Sequence, residues 1–119
     1  MERSSYRDKR KYPQFLLELP LEYQVGNTRN VSGGLVVNVS ETGLLIRSVT
    51  DMAIGTRIEI TVLFPNGYEL GSFKVSAELI RKDRREGNWK GYEYGLRFLQ
   101  MSEEDNQQLK QIIGGQLAA

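Results

Sequence analysis

Leu35-Val36-Val37-Asn38-Val39-Ser40-Glu41-Thr42-Gly43-Leu44-Leu45-Ile46 sets a six-residue segment, Asn38 to Gly43, between two apolar runs of strand composition. The flanks predict two β-strands, and the segment between them a tight connection that holds its side chains in register. Asn38 can present a donor and an acceptor to a heterocycle edge, Ser40 can donate to an anion or cap the turn, and Gly43 permits positive φ or close backbone approach. The same residues also suit an ordinary hairpin in which Asn38 and Ser40 satisfy their own backbone.

Outward from this corner, the chain keeps a two-residue period. Leu17, Leu19, Leu21, Tyr23 and Val25 alternate with Glu18, Pro20, Glu22 and Gln24, as in a half-buried strand, and Pro20 predicts that this strand is an edge or carries a bulge. Ile58, Ile60, Val62 and Phe64 alternate against Arg57, Glu59, Thr61 and Leu63. Pro65-Asn66-Gly67 then reads as a hairpin turn into a strand with Phe73, Val75, Ala77 and Leu79 on one side. With runs at 35–40, 43–48 and 92–98, this predicts an all-β domain of six short antiparallel strands closed into a β-barrel. Gly26 to Asn30 and Ser32-Gly33-Gly34 read as a mobile connection. Ser102, followed by Glu103, Glu104 and Asp105, predicts a C-terminal α-helix over about 102–114, with Leu109, Ile112 and Ile113 on one face and Gly114-Gly115 as its stop. That face is expected to lid the barrel or to meet a partner, which includes a second copy of the chain.

Charge is distributed unevenly. Arg3, Arg7, Lys9, Arg10 and Lys11 face only Glu2 and Asp8, so residues 1–12 carry +3 while the whole chain carries +1. Residues 1–14 therefore read as a flexible basic arm ahead of a domain spanning 15–119. Such an arm beside a polar turn can clamp a phosphorylated ligand, or can be a solvated tail. With 119 residues the chain is one domain. It has no histidine and no cysteine, which excludes histidine triads, thiol nucleophiles, disulfides and the usual zinc sites. No metal site and no enzyme activity are expected. Nor is there a membrane-spanning stretch or a signal-like segment, so the expected location is cytoplasmic. Arg81 to Gly91 reads as a basic loop carrying Arg81, Lys82, Arg84, Arg85 and Lys90 around Trp89. It suggests single-stranded nucleic-acid binding, but Asp83, Glu86 and Glu93 dilute the charge and favour a solvated loop or a partner contact, so no DNA or RNA partner is expected.

In order and spacing, these features resemble the PilZ domain, a bacterial module whose ligand-binding members recognise cyclic di-GMP. The resemblance starts at Arg10-Lys11-Tyr12-Pro13-Gln14 and passes through Leu19-Pro20-Leu21-Glu22-Tyr23 as a first strand. Asn38-Val39-Ser40-Glu41-Thr42-Gly43 matches the family's [D/N]-x-S-x-x-G pattern at each specified position, and Tyr94-Gly95-Leu96-Arg97-Phe98 is similar to its closing G-x-x-F strand. The resemblance implies a split-barrel type of β-barrel with a C-terminal helix. One element departs from the pattern: ligand-binding members carry R-x-x-x-R, and the register set by Tyr12-Pro13 puts Arg10 at the first position and Gln14 at the second. Arg3 to Arg7 satisfies the spacing seven residues upstream, and Arg7 to Lys11 satisfies it with a lysine, which lacks the planar fork. Losing one guanidinium contact costs roughly 1.5–3 kcal/mol, about 10- to 150-fold in affinity.

What the resemblance implies is a cyclic di-GMP receptor or adaptor, in which Arg10 pairs with a phosphate or the guanine acceptor edge, helped by Arg7 and with Gln14 at the second position. Asn38 and Ser40 hold the other face of the ligand, and Gly43 leaves room for a ring. Binding orders the arm and signals to an unidentified partner protein in motility or biofilm control, the receptor being a monomer or weak homodimer. The alternative is a family member that has lost nucleotide binding and acts through protein contacts alone, for which Gln14 argues.

Overall fold

The structure, a computed structural model, describes residues 15–114, with Asn27 and Asn88 excepted. Six antiparallel strands, β1 (Phe15–Val25), β2 (Val31–Val39), β3 (Gly43–Ser48), β4 (Arg57–Asn66), β5 (Glu69–Arg85) and β6 (Gly91–Gln100), close into a barrel in the order β1-β2-β3-β6-β5-β4. The alternation of small apolar and polar residues drives this. Ile58, Ile60, Val62 and Phe64 on β4 and Phe73, Val75, Ala77 and Leu79 on β5 all point into the core, where they meet Leu21, Tyr23, Val36, Ile46, Tyr94 and Leu96. At about 25 cal/mol per Å² of apolar surface removed from water, this interior is the main stabilising term.

Pro20 does not make β1 an edge, because closure gives β1 two neighbours. Instead, β1 pairs with β2 along its length, and its ladder with β4 begins only at Leu21. Pro20, which has no N–H, therefore sits where the strand has one partner, and β1 carries a bulge between Leu16 and Leu19. The β4–β5 turn is a two-residue loop, Gly67-Tyr68, one step later than Pro65-Asn66-Gly67 suggested. Gly67 has φ +66° while Tyr68 stays at negative φ, as in a type II′ hairpin.

Two expected loops turn out to be sheet. Ser32-Gly33-Gly34 is the start of β2, paired with Glu22, Tyr23 and Leu21 of β1. Gly34 lies so close to β3 that an added Cβ would stand 2.7 Å from the Arg47 carbonyl, so here glycine serves close strand approach and not mobility. Arg81 to Arg85 continues β5, pairing with Gly91 to Gly95 of β6, and only Glu86 to Lys90 forms the connection.

Two buried phenols hold the segment between β3 and β4. The Tyr94 hydroxyl donates to the Thr50 carbonyl (2.6 Å) and accepts from the Met52 N–H (2.8 Å). Burial raises the Tyr94 phenol above its usual pKa, which keeps the donor proton in place. The Tyr23 hydroxyl meets Ser48 Oγ at 2.7 Å, and the Thr50 N–H donates to the same Oγ at 3.1 Å.

Glu93 is a buried carboxylate between two guanidiniums, Arg47 Nε at 3.1 Å and an Arg85 terminal nitrogen at 2.8 Å. Burial alone would raise its pKa, but hydrogen bonds and charge from Arg85 and Arg47 outweigh that and hold it below the usual glutamate value. A carboxylate with a depressed folded-state pKa stabilises the fold above its unfolded pKa of about 4.3, and that contribution is lost as pH falls through the folded value. Acid unfolding of Glu93→Gln should therefore show a shallower pH dependence below about pH 4.5 than wild type. Identical acid transitions in the two proteins would refute this role.

The helix α1 spans Glu103–Ile113 and buries Leu109 and Ile112 in the core. Ser102 caps it, its Oγ accepting from the Asp105 N–H (3.1 Å) and donating to Asp105 Oδ2 (2.6 Å). The other carboxylate oxygen of Asp105 accepts from the Lys74 N–H (3.0 Å). That amide lies where β5 pairs with β4 but has not yet met β6, whose ladder with β5 begins at Ser76, so α1 covers an open stretch of sheet edge. Gly114 ends the helix in right-handed geometry, donating to the Lys110 carbonyl.

Candidate ligand-binding site

Asn38 owes its position to a bulge. Without one, Val36 and Asn38 would share a face; instead, Val36 pairs with Ile46 and Asn38 with Leu45, so Val37 is an extra residue in the ladder to β3. Val36 and Val39 are both buried, three residues apart, and Asn38 is turned onto the outer wall of the barrel. The bulge in β1 lies alongside it, since Leu16 pairs with Asn38 and Leu19 with Val36. Two neighbouring strands thus spend an extra residue at the same level to aim one amide.

The turn that follows is held by its own groups. The Ser40 N–H donates to the Gly43 carbonyl at 3.0 Å, and the Thr42 N–H donates to Ser40 Oγ at 3.3 Å. Ser40 is nearly buried, while Glu41 and Thr42 are exposed. The Phe98 N–H reaches back to the Thr42 carbonyl at 3.0 Å, tying the turn to β6. At Gly43 an ideal Cβ would lie 2.0 Å from the Leu96 carbonyl oxygen. The sheet itself therefore requires glycine here, a reason distinct from room for a ligand ring.

Residues that face outward at this corner fall into two rows. Gly43, Arg97 and Glu78 stand side by side on β3, β6 and β5, next to the buried Ser40 just past the end of β2, and Asn38, Leu45, Gly95 and Arg81 form the adjacent row. Arg97 and Glu78 form an exposed ion pair at 2.5 Å. A bulge in β5 between Leu79 and Arg81 turns Arg81 outward, and its side chain lies across Gly95, where an added Cβ would stand 3.2 Å from Arg81 Cβ. Arg81 and Arg97 are thus functional candidates that sequence reading passed over, treating one as part of a loop and the other as a strand filler. The clue available was the G-x-R spacing of Gly95 and Arg97, since alternate residues of a strand share a face.

The structure brings together Asn38, Ser40 and Gly43; Arg7, Arg10 and Gln14 lie outside the described residues. The basic segment around Trp89 sits at the other end of β6. Four of its five cations have acidic partners: Arg81 with Asp83, Lys82 with Asp51, Arg84 with Glu86 and Arg85 with Glu93. Trp89 lies under the Arg47 guanidinium, 5.5 Å from the ring centroid, and against Gly91. A groove of about 290 Å³ bounded by Val49, Arg84, Arg85, Lys90 and Tyr92 lies beside it. Among the described residues no group of three or more carboxylates could hold a metal ion, and no helix is long and apolar enough to cross a membrane.

Comparison with known proteins agrees with this architecture. The family model described as PilZ domain matches residues 3–115. Among solved structures, the PilZ domain with c-di-GMP of YcgR from Escherichia coli superposes with a TM-score of 0.70 at 19% identity, covering 92% of this chain and 92% of that one. The Bacillus subtilis inhibitor of motility (MotI/DgrA) gives 0.74 at 15% identity, covering 91% of this chain, which spans half the length of that protein. The PilZ domain of CeSA from a cellulose-synthesizing bacterium gives 0.60 at 12% identity, covering 87% of this chain and 96% of that one. At these identities the likeness is one of fold. No curated protein sequence gives a significant match.

Proposed function

This chain belongs to the PilZ domain family, and from that premise we propose that it is a cyclic di-GMP receptor that signals by protein contact and performs no catalysis. The observation that carries the reading is the paired bulge that turns Asn38 onto the outer wall beside the Ser40–Gly43 turn. An Asn amide carries a donor and an acceptor suited to a base or sugar edge, and here its Oδ1 is shielded from solvent, so meeting the ligand with that oxygen requires the side chain to turn. Ser40, whose hydroxyl already organises the turn, fixes the level at which the ligand sits. The solved YcgR domain of the same fold is described with c-di-GMP. Arg10 supplies the arm's guanidinium, with Arg7 behind it, and the occupied arm then presents a changed surface to a partner in motility or biofilm control.

Calorimetric titration with cyclic di-GMP tests this. Saturable heat is expected with the full chain, weakened about 10- to 150-fold in Arg10→Ala and by roughly 10-fold in Asn38→Ala. A folded protein that gives no heat at high ligand concentration removes the receptor reading and leaves an adaptor that works through protein contacts alone.

A further inference from the structure

We infer that Arg97, with Arg81 beside it, is a ligand-contacting residue of this site and supplies from the barrel wall the second guanidinium that Gln14 cannot supply from the arm. The inference rests on the cyclic di-GMP reading above. Arg97 pairs directly with Gly43 across the β3–β6 ladder and stands in one row with Ser40, two strand spacings away, about 10 Å. Its neighbours toward Asn38 are Gly43, Gly95 and Leu45; Leu45 stands beside Asn38 and Arg81 reaches across Gly95, so the wall is lowest at Gly43, next to Arg97. A flat ring or a phosphate lying on that floor has Asn38 on one side and the Arg97 fork on the other. Arg81 lies over Gly95 in the adjacent row and adds a second positive charge.

Arg97 is also available. Its partner in the free protein is Glu78, and exposed ion pairs of this kind are weakly held. Arg57 stands opposite Glu78 on β4, so Glu78 keeps a cationic neighbour in register when Arg97 turns to a ligand. A guanidinium, unlike an ammonium, can meet a phosphate or the guanine acceptor edge with two parallel hydrogen bonds. The acids nearby are Glu78, Asp83 and the exposed Glu41, and each opposes an anionic ligand.

The experiment is a titration of cyclic di-GMP into wild type, Arg97→Ala, Arg97→Lys, Glu78→Gln and, as a control on the distant hairpin, Arg84→Ala, each checked for an unchanged circular dichroism spectrum. Arg97→Ala should weaken binding by at least about 10-fold and Arg97→Lys by less. Arg84→Ala should leave binding unchanged. Glu78→Gln should tighten it a few fold, because it frees Arg97 and removes a repelling charge. That opposite sign separates a ligand contact from a strut: if Arg97 only braced the sheet through Glu78, both changes would weaken binding together. Wild-type binding with Arg97→Ala within twofold, or with Glu78→Gln as weak as Arg97→Ala, overturns this inference and leaves the receptor reading standing. Absence of binding by wild type overturns both.

Discussion

Gly43→Ala should cost about 3 kcal/mol or more in stability, at or above the upper end of ordinary overpacking. The added methyl would stand 2.0 Å from the Leu96 carbonyl oxygen and 3.2 Å from its carbon, both backbone atoms of a paired strand. Neither can rotate away as a side chain would, so the β3–β6 ladder must part at Gly43↔Arg97. Urea denaturation would measure the loss, and amide exchange on β3 and β6 would locate it. Gly33→Ala is the matched control: it is a strand glycine of β2 paired with Glu22 of β1, meets nothing nearer than the Leu21 carbonyl at 3.8 Å, and should stay within about 1 kcal/mol of wild type. Equal stabilities of the two variants would contradict the geometry. Because the same ladder sets the level of Arg97 beside the turn, Gly43→Ala should also abolish ligand binding by deforming the wall, even where the protein still folds.

Phe64→Ala should cost about 3–5 kcal/mol, a large share of the roughly 5–15 kcal/mol that holds a domain of this size. The ring is 1% exposed, sits 6.4 Å from the Phe73 ring and covers Gly71, where an ideal Cβ would come within 2.6 Å of it. Its removal opens a void against a glycine that has no side chain with which to fill it, so collapse around the site offers little relief. A loss below about 1 kcal/mol by chemical denaturation would show that β4 and β5 repack freely.

Most of the architecture was legible because most of the barrel obeys one rule. The runs 58–64 and 73–79 alternate, and every second residue, Ile58 to Phe64 and Phe73 to Leu79, is apolar and points inward, with Leu63 the one apolar residue on the outer side. The C-terminal helix announced itself through Ser102 and its acidic first turn. What was hidden lies where the two-residue period breaks. Val36-Val37-Asn38-Val39 looks like a plain apolar strand with one polar residue, and nothing in the letters says that Val37 is the extra residue. The bulge is settled by closure of the ring, which fixes how many residues β1 and β2 must spend between shared levels. Arg81 to Arg85 escaped for a different reason. A strand rich in charge carries no apolar face to read, and here its partners are backbone groups of β6 and the acids that pair with its cations.

The candidate site divides along the same line. Asn38, Ser40 and Gly43 were legible as a spaced motif, because their chemistry is local to one turn. Arg81 and Arg97 were not, since their relevance comes from neighbours on other strands, and adjacency across a sheet is not written in sequence distance. Gly43 also has a role beyond the room for a ligand expected of it, letting two strands touch.

The pairing of Leu16 with Asn38 has a consequence for how the site would close. Arg10 stands six residues before this anchor, so the covalent chain limits its travel to a sphere of about 21 Å radius centred beside the amide. On the receptor reading proposed above, a cation held within that radius would meet a guest on the wall at an effective concentration in the millimolar range, whatever the dilution of the protein in the cell. Capture from both sides would then count as a single encounter, and modest contacts at each would suffice.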